Sequence, residues 1–488
     1  MNIKNILKSQ QTYLILAIIA GIALRFYGLD LQSYWYDELY TVTVASYKSL
    51  LRILSHCLLL DVNPPLYIFF LHFWIKIFGD TELALRMPSA IAGAGSILAV
   101  YFLTGKIIDK KTAVFTTIFT ALSGWGLYYS QEARSYGILL LLSVIVTLLW
   151  LDLIKNLKES GLSRKTLFFY GITAITISYL HYYGTIVIFF QMLYMLFSSI
   201  WYKKDIAKVI ATGSIIAIFL VIWMLPHYFY MRLVTGGNFW IKKPDFLMFL
   251  RIVDMIFSKY LVIPLFLPLL INIKQLTKNA GEFFNNFKPD SLVFSLLYII
   301  IMPILLVILI SQSTPMIYYR YFLVFQFPLF LLTSILMLSI PFFNSLKGFF
   351  FFLTLNIAGL ILFIAPPDNL NDIKFYYAPH KQDWREISKY ISENLDEKTI
   401  FLVDRLPRFY KYYLYKYIKS PENLSVRSVQ DEKLKYSWVS KNYTKLIIAV
   451  EHRVPAEVYK KMKYRDCSEF KEKIITGKIY FYECSFKK

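Results

Sequence analysis

Two adjacent carboxylates stand out in the run Trp35-Tyr36-Asp37-Glu38-Leu39-Tyr40, just past an apolar stretch that ends near Tyr27. A second acidic cluster follows at Asp61-Val62-Asn63-Pro64-Pro65-Leu66-Tyr67. Acidic side chains are costly beside lipid unless they pair or do chemistry, so this loop is the first candidate for a site. An exposed Asp37 could serve as a general base, and Glu38 could tune it through like-charge proximity. The competing reading is that the pair caps a helix beginning near Tyr36. Asp61 can position an acceptor or bind a metal, or it can serve only to initiate the turn into Asn63-Pro64-Pro65.

Cations suited to a phosphate group lie further along. Arg134 sits in a short turn between two apolar stretches, where a guanidinium can make bidentate contact with a phosphate. It can equally reach lipid headgroups or pair with Glu132. Arg86, just ahead of Pro88, carries the same two readings, and Glu82 reads as a helix-start carboxylate facing Arg86 or as a catalytic group. His181 lies near the end of an apolar stretch and can touch substrate, ligate a metal or pack among its neighbouring tyrosines. His56, His72 and His227 read the same way, and no pair has metal-ligand spacing, so a divalent metal stays open. Arg232, Lys242 and Lys243 can hold phosphate charge or lipid headgroups.

The elements that position these residues are apolar. The chain has 488 residues, 57% of them hydrophobic and 17% charged, which excludes soluble and disordered classes. Stretches of about 18 to 22 apolar residues suffice to cross a bilayer as helices. About eleven are expected, near 11–27, 88–105, 112–129, 135–154, 166–184, 185–201, 208–226, 257–273, 291–310, 322–340 and 348–365. The first lacks a small-residue cleavage pattern and reads as a retained helix. Pro65 to Phe78 reads as an interfacial helix, too short to span.

The net charge of +21 is distributed as a membrane protein distributes it. The N-terminus and the bands at 106–111, 155–165, 203–208, 274–290 and Lys347 carry 16 Lys/Arg against 5 Asp/Glu. By the positive-inside rule this places the N-terminus in the cytoplasm. An odd number of spans then brings the first loop (28–87), the turn at 129–136, the loop at 227–256, the turn at 311–321 and the C-terminal segment to the other face. The charge orients the chain in a bilayer, and a nucleic-acid partner is not expected.

From Pro366 the composition turns to mixed charge, and residues 366–488 read as a soluble α/β domain following a membrane domain over 1–365. Trp384 to Leu395 has helical spacing, while Thr399 to Asp404 and Lys445 to Val450 read as buried strands. Cys57, Cys467 and Cys484 lack metal-type spacing; Cys467 and Cys484 can be bridged or free.

Several of these motifs together resemble a known family. Asp37-Glu38 followed by Asp61-Val62-Asn63-Pro64-Pro65 is similar to the first extracytoplasmic loop of the dolichyl-phosphate-mannose–protein mannosyltransferases. Gly79 to Ala90, Tyr129 to Tyr136, His181-Tyr182-Tyr183-Gly184, Arg320-Tyr321 and Gln382-Asp383-Trp384-Arg385 resemble stretches of that family's bacterial relatives, which include the lipid A aminoarabinose transferases. Asn63 departs from the family, which usually has His before the two prolines. The sugar-binding repeat module of the eukaryotic enzymes has no counterpart here.

The resemblance implies a polytopic α-helical membrane protein of the GT-C type, with a C-terminal extracytoplasmic α/β domain in a cell membrane. It implies transfer of a monosaccharide, with inversion, from a polyprenyl-phosphate donor to an acceptor hydroxyl of a protein, glycan or glycolipid. Asp37 and Glu38 would be catalytic, with Asp61, Glu82, Arg86, Arg134, His181 and Arg320 binding substrate. The rival readings are a transporter or flippase of lipid-linked sugars and a non-catalytic relative that binds carrier lipid. Transporters often carry two related halves with ionisable residues at the bilayer midplane. Here the acidic pair sits at the edge in a long first loop, no halves are evident, and the spans carry few ionisable residues.

Overall fold

The computed structural model of the chain describes residues 3–235, 245, 248, 252, 291–364, 384–393, 398–403, 407–418, 424–428, 442–450, 467–475 and 479–486. Two compact units divide the chain. A helical unit comprises Met1–Tyr27, Lys48–Trp74 and Arg86–Pro367; the other comprises Gly28–Tyr47, Ile75–Leu85 and Asp368–Lys488.

In chain order the helices begin with α1 (Ile3–Phe26), α2 (Tyr36–Ala45), α3 (Leu50–Leu59), α4 (Leu66–Phe78) and α5 (Glu82–Ile107). Next come α6 (Lys110–Leu122), α7 (Gly124–Ser130), α8 (Tyr136–Leu157), α9 (Arg164–Leu180), α10 (Tyr182–Trp201) and α11 (Ile206–Thr235). After the undescribed stretch come α12 (Leu292–Ser311), α13 (Gln326–Leu338), α14 (Leu346–Ile364), α15 (Trp384–Glu393) and α16 (Pro407–Tyr417). Among the described residues, seven stretches are long and apolar enough to cross a membrane: Glu82–Ile107, Tyr136–Leu157, Tyr182–Trp201, Ile206–Tyr230, Leu292–Ser311, Tyr319–Leu338 and Leu346–Ile364. The first helix supplies a shorter apolar stretch, Gln10–Phe26. The chain is therefore a polytopic membrane protein. The span expected at 257–273 lies outside the described residues.

Two expected spans are divided differently from the hydropathy pattern, each for a local reason. The stretch at 112–129 breaks at Ser123, whose backbone turns extended (ψ 117°). The Ser123 Oγ then accepts the Gly126 N–H at 3.0 Å and the Gln326 amide at 2.8 Å, capping α7. Gly124 is required there, because a Cβ would lie 2.3 Å from the Phe363 ring. The boundary expected at 184/185 falls instead at His181, which is extended between α9 and α10 and accepts the Tyr183 N–H on Nδ1 at 3.2 Å. The short apolar helix expected over Pro65 to Phe78 is α4, Leu66–Phe78.

Hydrogen bonds gather the basic bands at one set of helix ends. Lys155 Nζ donates to the Ile107 carbonyl at 2.9 Å, and Lys111 Nζ to Asn344 at 3.3 Å. Lys204 Nζ donates to the Lys158 and Glu159 carbonyls and Lys208 Nζ to that of Leu162. Contacts also gather the opposite ends. Gln131 Nε2 donates to the Leu24 and Tyr27 carbonyls, both at 2.8 Å. Ser89 Oγ donates to the Arg134 carbonyl at 2.9 Å, Tyr183 Oη to that of Met316 at 2.8 Å, and His227 meets the Asp61 carbonyl. The Asp61 segment, the turn at 129–136, the helix end at 227 and the turn at 311–321 thus share one end of the helical unit.

The second unit holds a five-stranded sheet of order β2-β1-β3-β5-β4. Its strands are β1 (Thr399–Val403), β2 (Leu424–Ser428), β3 (Lys445–Val450), β4 (Cys467–Ile475) and β5 (Ile479–Phe486). β1 runs parallel to both β2 and β3, while β5 is antiparallel to β3 and β4. The two strands expected from sequence are the central parallel pair. All five residues of β1 are buried, as continuous apolar strands are. α15 is tied to the sheet through Tyr390, whose hydroxyl donates to Glu483 at 2.6 Å while Lys445 Nζ pairs with the same carboxylate at 2.5 Å. Cys484 on β5 is disulfide-bonded, and Cys57 is buried and free.

Gly137 sets how closely α8 approaches α5: a Cβ there would lie 2.6 Å from the Ser89 carbonyl oxygen. Gly137→Ala must push the two helices apart beside the Ser89–Arg134 hydrogen bond. It is expected to cost roughly 1–3 kcal/mol as overpacking. A lowered unfolding temperature in detergent checks this, and an unchanged one would contradict the close approach.

Candidate active site

In the sheet-containing unit, Asp37 and Glu38 occupy the first turn of α2. Glu38 is fully buried, and its Oε2 accepts the Trp35 N–H at 3.3 Å. It caps the helix and answers the positive end of the helix dipole. Asp37 is half-exposed, and its backbone carbonyl accepts Thr41 Oγ1 at 2.8 Å. The capping reading therefore holds for Glu38, while Asp37 has the more accessible carboxylate of the two.

Glu82 lies in the same unit and is buried. Its Oε1 accepts Arg385 Nη2 at 2.7 Å and the Tyr413 hydroxyl at 2.6 Å. These partners come from the far end of the chain, Arg385 lying 303 residues on, and carried no local signal.

In the helical unit, Asp61 is buried and its Oδ1 accepts both the backbone and the side-chain N–H of Asn63, each at 2.9 Å. This closes the turn ahead of Pro64 and Pro65. The Asp61 carbonyl faces His227 Nε2 at 2.8 Å, so that nitrogen carries the proton. His227 Nδ1 must then accept, and it takes the Tyr182 hydroxyl, which in turn accepts Trp223 Nε1 at 3.2 Å. Of the readings open to His227 from sequence, packed and hydrogen-bonded is the one these contacts show.

Arg134, His181 and Arg320 are brought together. The Arg320 guanidinium lies over the rings of Tyr318 (4.9 Å), Tyr136 (5.9 Å) and Tyr321 (5.9 Å). The buried His181 ring packs against Tyr321 at 4.9 Å and Tyr136 at 5.9 Å, within electrostatic reach of both Arg320 and Arg134. Glu132, absent from the sequence-based candidates, is buried in the same turn and acts electrostatically on Tyr129 and Tyr319. Arg86 is buried near the start of α5. Among the described residues, no group of three or more His, Cys, Asp or Glu could hold a metal ion. Arg232, Lys242 and Lys243 lie outside the residues whose side chains are described.

Comparison with known proteins relates this arrangement to a class. The family described as dolichyl-phosphate-mannose-protein mannosyltransferase matches residues 62–227, a segment that holds Glu82, Arg86, Arg134 and His181. ArnT from Cupriavidus metallidurans is similar in structure. Its apo state gives a TM-score of 0.60 and its undecaprenyl-phosphate complex 0.57, both at 11% identity and covering 97% of this chain and 98% of that one. The oligosaccharyltransferase AglB from Archaeoglobus fulgidus, in complex with an inhibitory peptide and a dolichol-phosphate, gives 0.48 at 11% identity, covering 96% of this chain and 74% of that one. No curated protein matches in sequence. The fold is like that of ArnT, and the segment 62–227 is similar to the dolichyl-phosphate-mannose-protein mannosyltransferases.

Cys57 reports on the Asp61 turn. Burial, with a smaller contribution from the Asp61 charge, pushes its thiol up to about 12 from an ordinary 9.0. A raised thiol stays protonated at neutral and mildly alkaline pH, and the protonated form is a poor nucleophile. Cys57 is expected to resist maleimide or iodoacetamide at pH 8 until the protein is unfolded, as read by mass spectrometry. Rapid labelling of the folded protein would show the site to be open.

Proposed function

We propose that the protein transfers a monosaccharide from a polyprenyl-phosphate donor to an acceptor hydroxyl at the extracytoplasmic face of a cell membrane, with inversion. The observation that carries this reading is the GT-C fold over nearly the whole chain, similar to an ArnT structure bound to undecaprenyl phosphate. The donor's phosphate leaves as a stabilised anion without needing a strong acid. The reaction needs a base for the acceptor proton and cations for the growing phosphate charge. Asp37, half-exposed beside the buried Glu38, is the base. The acceptor oxygen attacks the anomeric carbon as Asp37 takes its proton, and the bond to the phosphate oxygen breaks, releasing polyprenyl phosphate. Arg134 and Arg86 meet the phosphate charge, with Arg320 held among tyrosines nearby in the Arg134 cluster. Asp61 positions the acceptor, and a divalent metal stays open as a further participant.

The sidedness follows from charge. The lysine-rich helix ends that hydrogen-bond one another form the cytoplasmic face, and the turn at 131–135 lies at the other. Residues 1–365 form the catalytic membrane domain and 366–488 the extracytoplasmic domain. A reporter fused after Leu370 should behave as extracytoplasmic, and one within Lys158 to Arg164 as cytoplasmic.

Purified protein offered a panel of polyprenyl-phosphate sugars and nucleotide sugars should release carrier phosphate only from the lipid donors. Direct use of a nucleotide sugar would sink the assignment. Asp37→Asn keeps shape but takes no proton, so kcat should fall by roughly 10²–10⁴-fold while donor binding persists. Arg134→Ala should weaken donor binding and turnover together, because phosphate charge is present in the ground state and grows in the transition state. Near-normal turnover of a folded Asp37→Asn variant would place the base elsewhere.

A further inference from the structure

The Asp37 helix is entered through a segment that side chains from the C-terminal part of the chain hold. Tyr34, fully buried, donates its backbone N–H to the Tyr413 hydroxyl at 2.7 Å. That hydroxyl donates its own proton to Glu82 Oε1, and Arg385 Nη2 donates to the same oxygen and to the Asp30 carbonyl at 3.0 Å. The hydroxyls of Tyr34 and Tyr412 both donate to the Asp80 carbonyl, at 3.0 and 2.7 Å. The Tyr34 ring also packs against Tyr412 (5.7 Å) and Tyr413 (6.1 Å). One carboxylate thus ties three segments together: the entry to α2, the start of α5, and the α15 and α16 helices of the soluble part. All lie within one compact unit.

We propose that Glu82, Arg385 and Tyr413 form a latch that positions Asp37. The C-terminal domain is then part of the catalytic machinery, because it fixes where α2 begins and hence where the Asp37 carboxylate is aimed. None of the three needs to touch substrate. Buried hydrogen bonds converging on one carboxylate specify geometry sharply, and a displacement of about 1 Å in a reacting group can cost 10²-fold in rate. This assigns Glu82 a positioning role in place of substrate contact. It rests on the reading of Asp37 as the base.

The test uses full-length protein in detergent with a polyprenyl-phosphate sugar as donor. Tyr413→Phe keeps the ring and removes both hydrogen bonds of the hydroxyl; Glu82→Gln keeps the shape and removes the charge. Each is expected to lower kcat roughly 10- to 100-fold, with the donor KM within about twofold of wild type and the unfolding temperature nearly unchanged. Arg385→Lys, which retains the charge but loses the planar guanidinium, should retain more activity than Arg385→Ala. The decisive measurement is the double variant Tyr413→Phe/Asp37→Asn. A latch acting through Asp37 predicts that it is no slower than Asp37→Asn alone. Losses that multiply, or Tyr413→Phe and Glu82→Gln at wild-type kcat while Asp37→Asn is crippled, overturn the latch and leave the base reading standing. A fully active Asp37→Asn overturns both.

Discussion

A guanidinium buried in an apolar helical bundle must find polar atoms, and the first helix carries one at its end. Arg25 is almost fully buried, and it donates to the carbonyls of Gly21 (2.8 Å), Thr120 (2.8 Å) and Ala121 (3.1 Å). The last carbonyls of a helix have no partner within it, and that end is the negative pole of its dipole. Arg25 therefore caps α6 from another helix, where α6 stops at Ser123. Gly21 allows the approach: a Cβ there would lie 2.6 Å from the Ala121 carbonyl oxygen. One turn on, Gln131 donates to the last carbonyls of α1, closing a reciprocal clasp. Arg134 and Glu132 sit in the turn this clasp holds. The position of the cation cluster depends on a charge that has no chemistry of its own.

The same requirement sorts the remaining ionisable groups. Lysines reach the carbonyls of neighbouring helix ends at one pole of the helical unit, where their flexible stems extend toward water. At the opposite pole, among the described residues, the charged groups are arginines, a histidine and carboxylates, buried or half-buried, several of them among tyrosine rings. Arginine suits that setting because its planar, weakly hydrated head stacks on aromatic faces and keeps its charge when desolvated. Tyrosine supplies a hydroxyl that can satisfy a polar neighbour and a ring that excludes water.

What the sequence disclosed follows from the range of each signal. Long apolar stretches, alternating loop charge and the run of apolar residues in β1 are local patterns, and they were legible. So was the start of a helix at Tyr36, which the acidic pair announces. β2, β4 and β5 were not expected: Leu424 to Ser428 and Cys467 to Ile475 mix polar and apolar residues, and their strand identity comes from the neighbours they pair with. The breaks at Ser123 and His181 were hidden because one polar residue in a hydrophobic run does not change its average. The Glu82–Arg385 pair spans 303 residues of sequence and the Asp61–His227 contact 166, so neither periodicity nor spacing could show them.

The Asp61 turn carries the synthesis one step further. Its carboxylate is engaged with Asn63, while its carbonyl fixes His227, whose other nitrogen is committed to Tyr182, and Tyr182 to Trp223. Tyr182 and His227 each donate once and accept once, fixed by the Trp223 N–H at one end and the Asp61 carbonyl at the other, so reversing either hydrogen would leave a polar atom without its partner. The chain therefore sets the turn's backbone and not its charge. Asp61 can then serve an acceptor only through its second carboxylate oxygen, because Oδ1 is spent on holding the loop. Asn63 is the residue that imposes this. Its amide gives the turn a rigid internal tie in place of a titratable ring, and the nearby titratable ring is His227, contributed by a different helix.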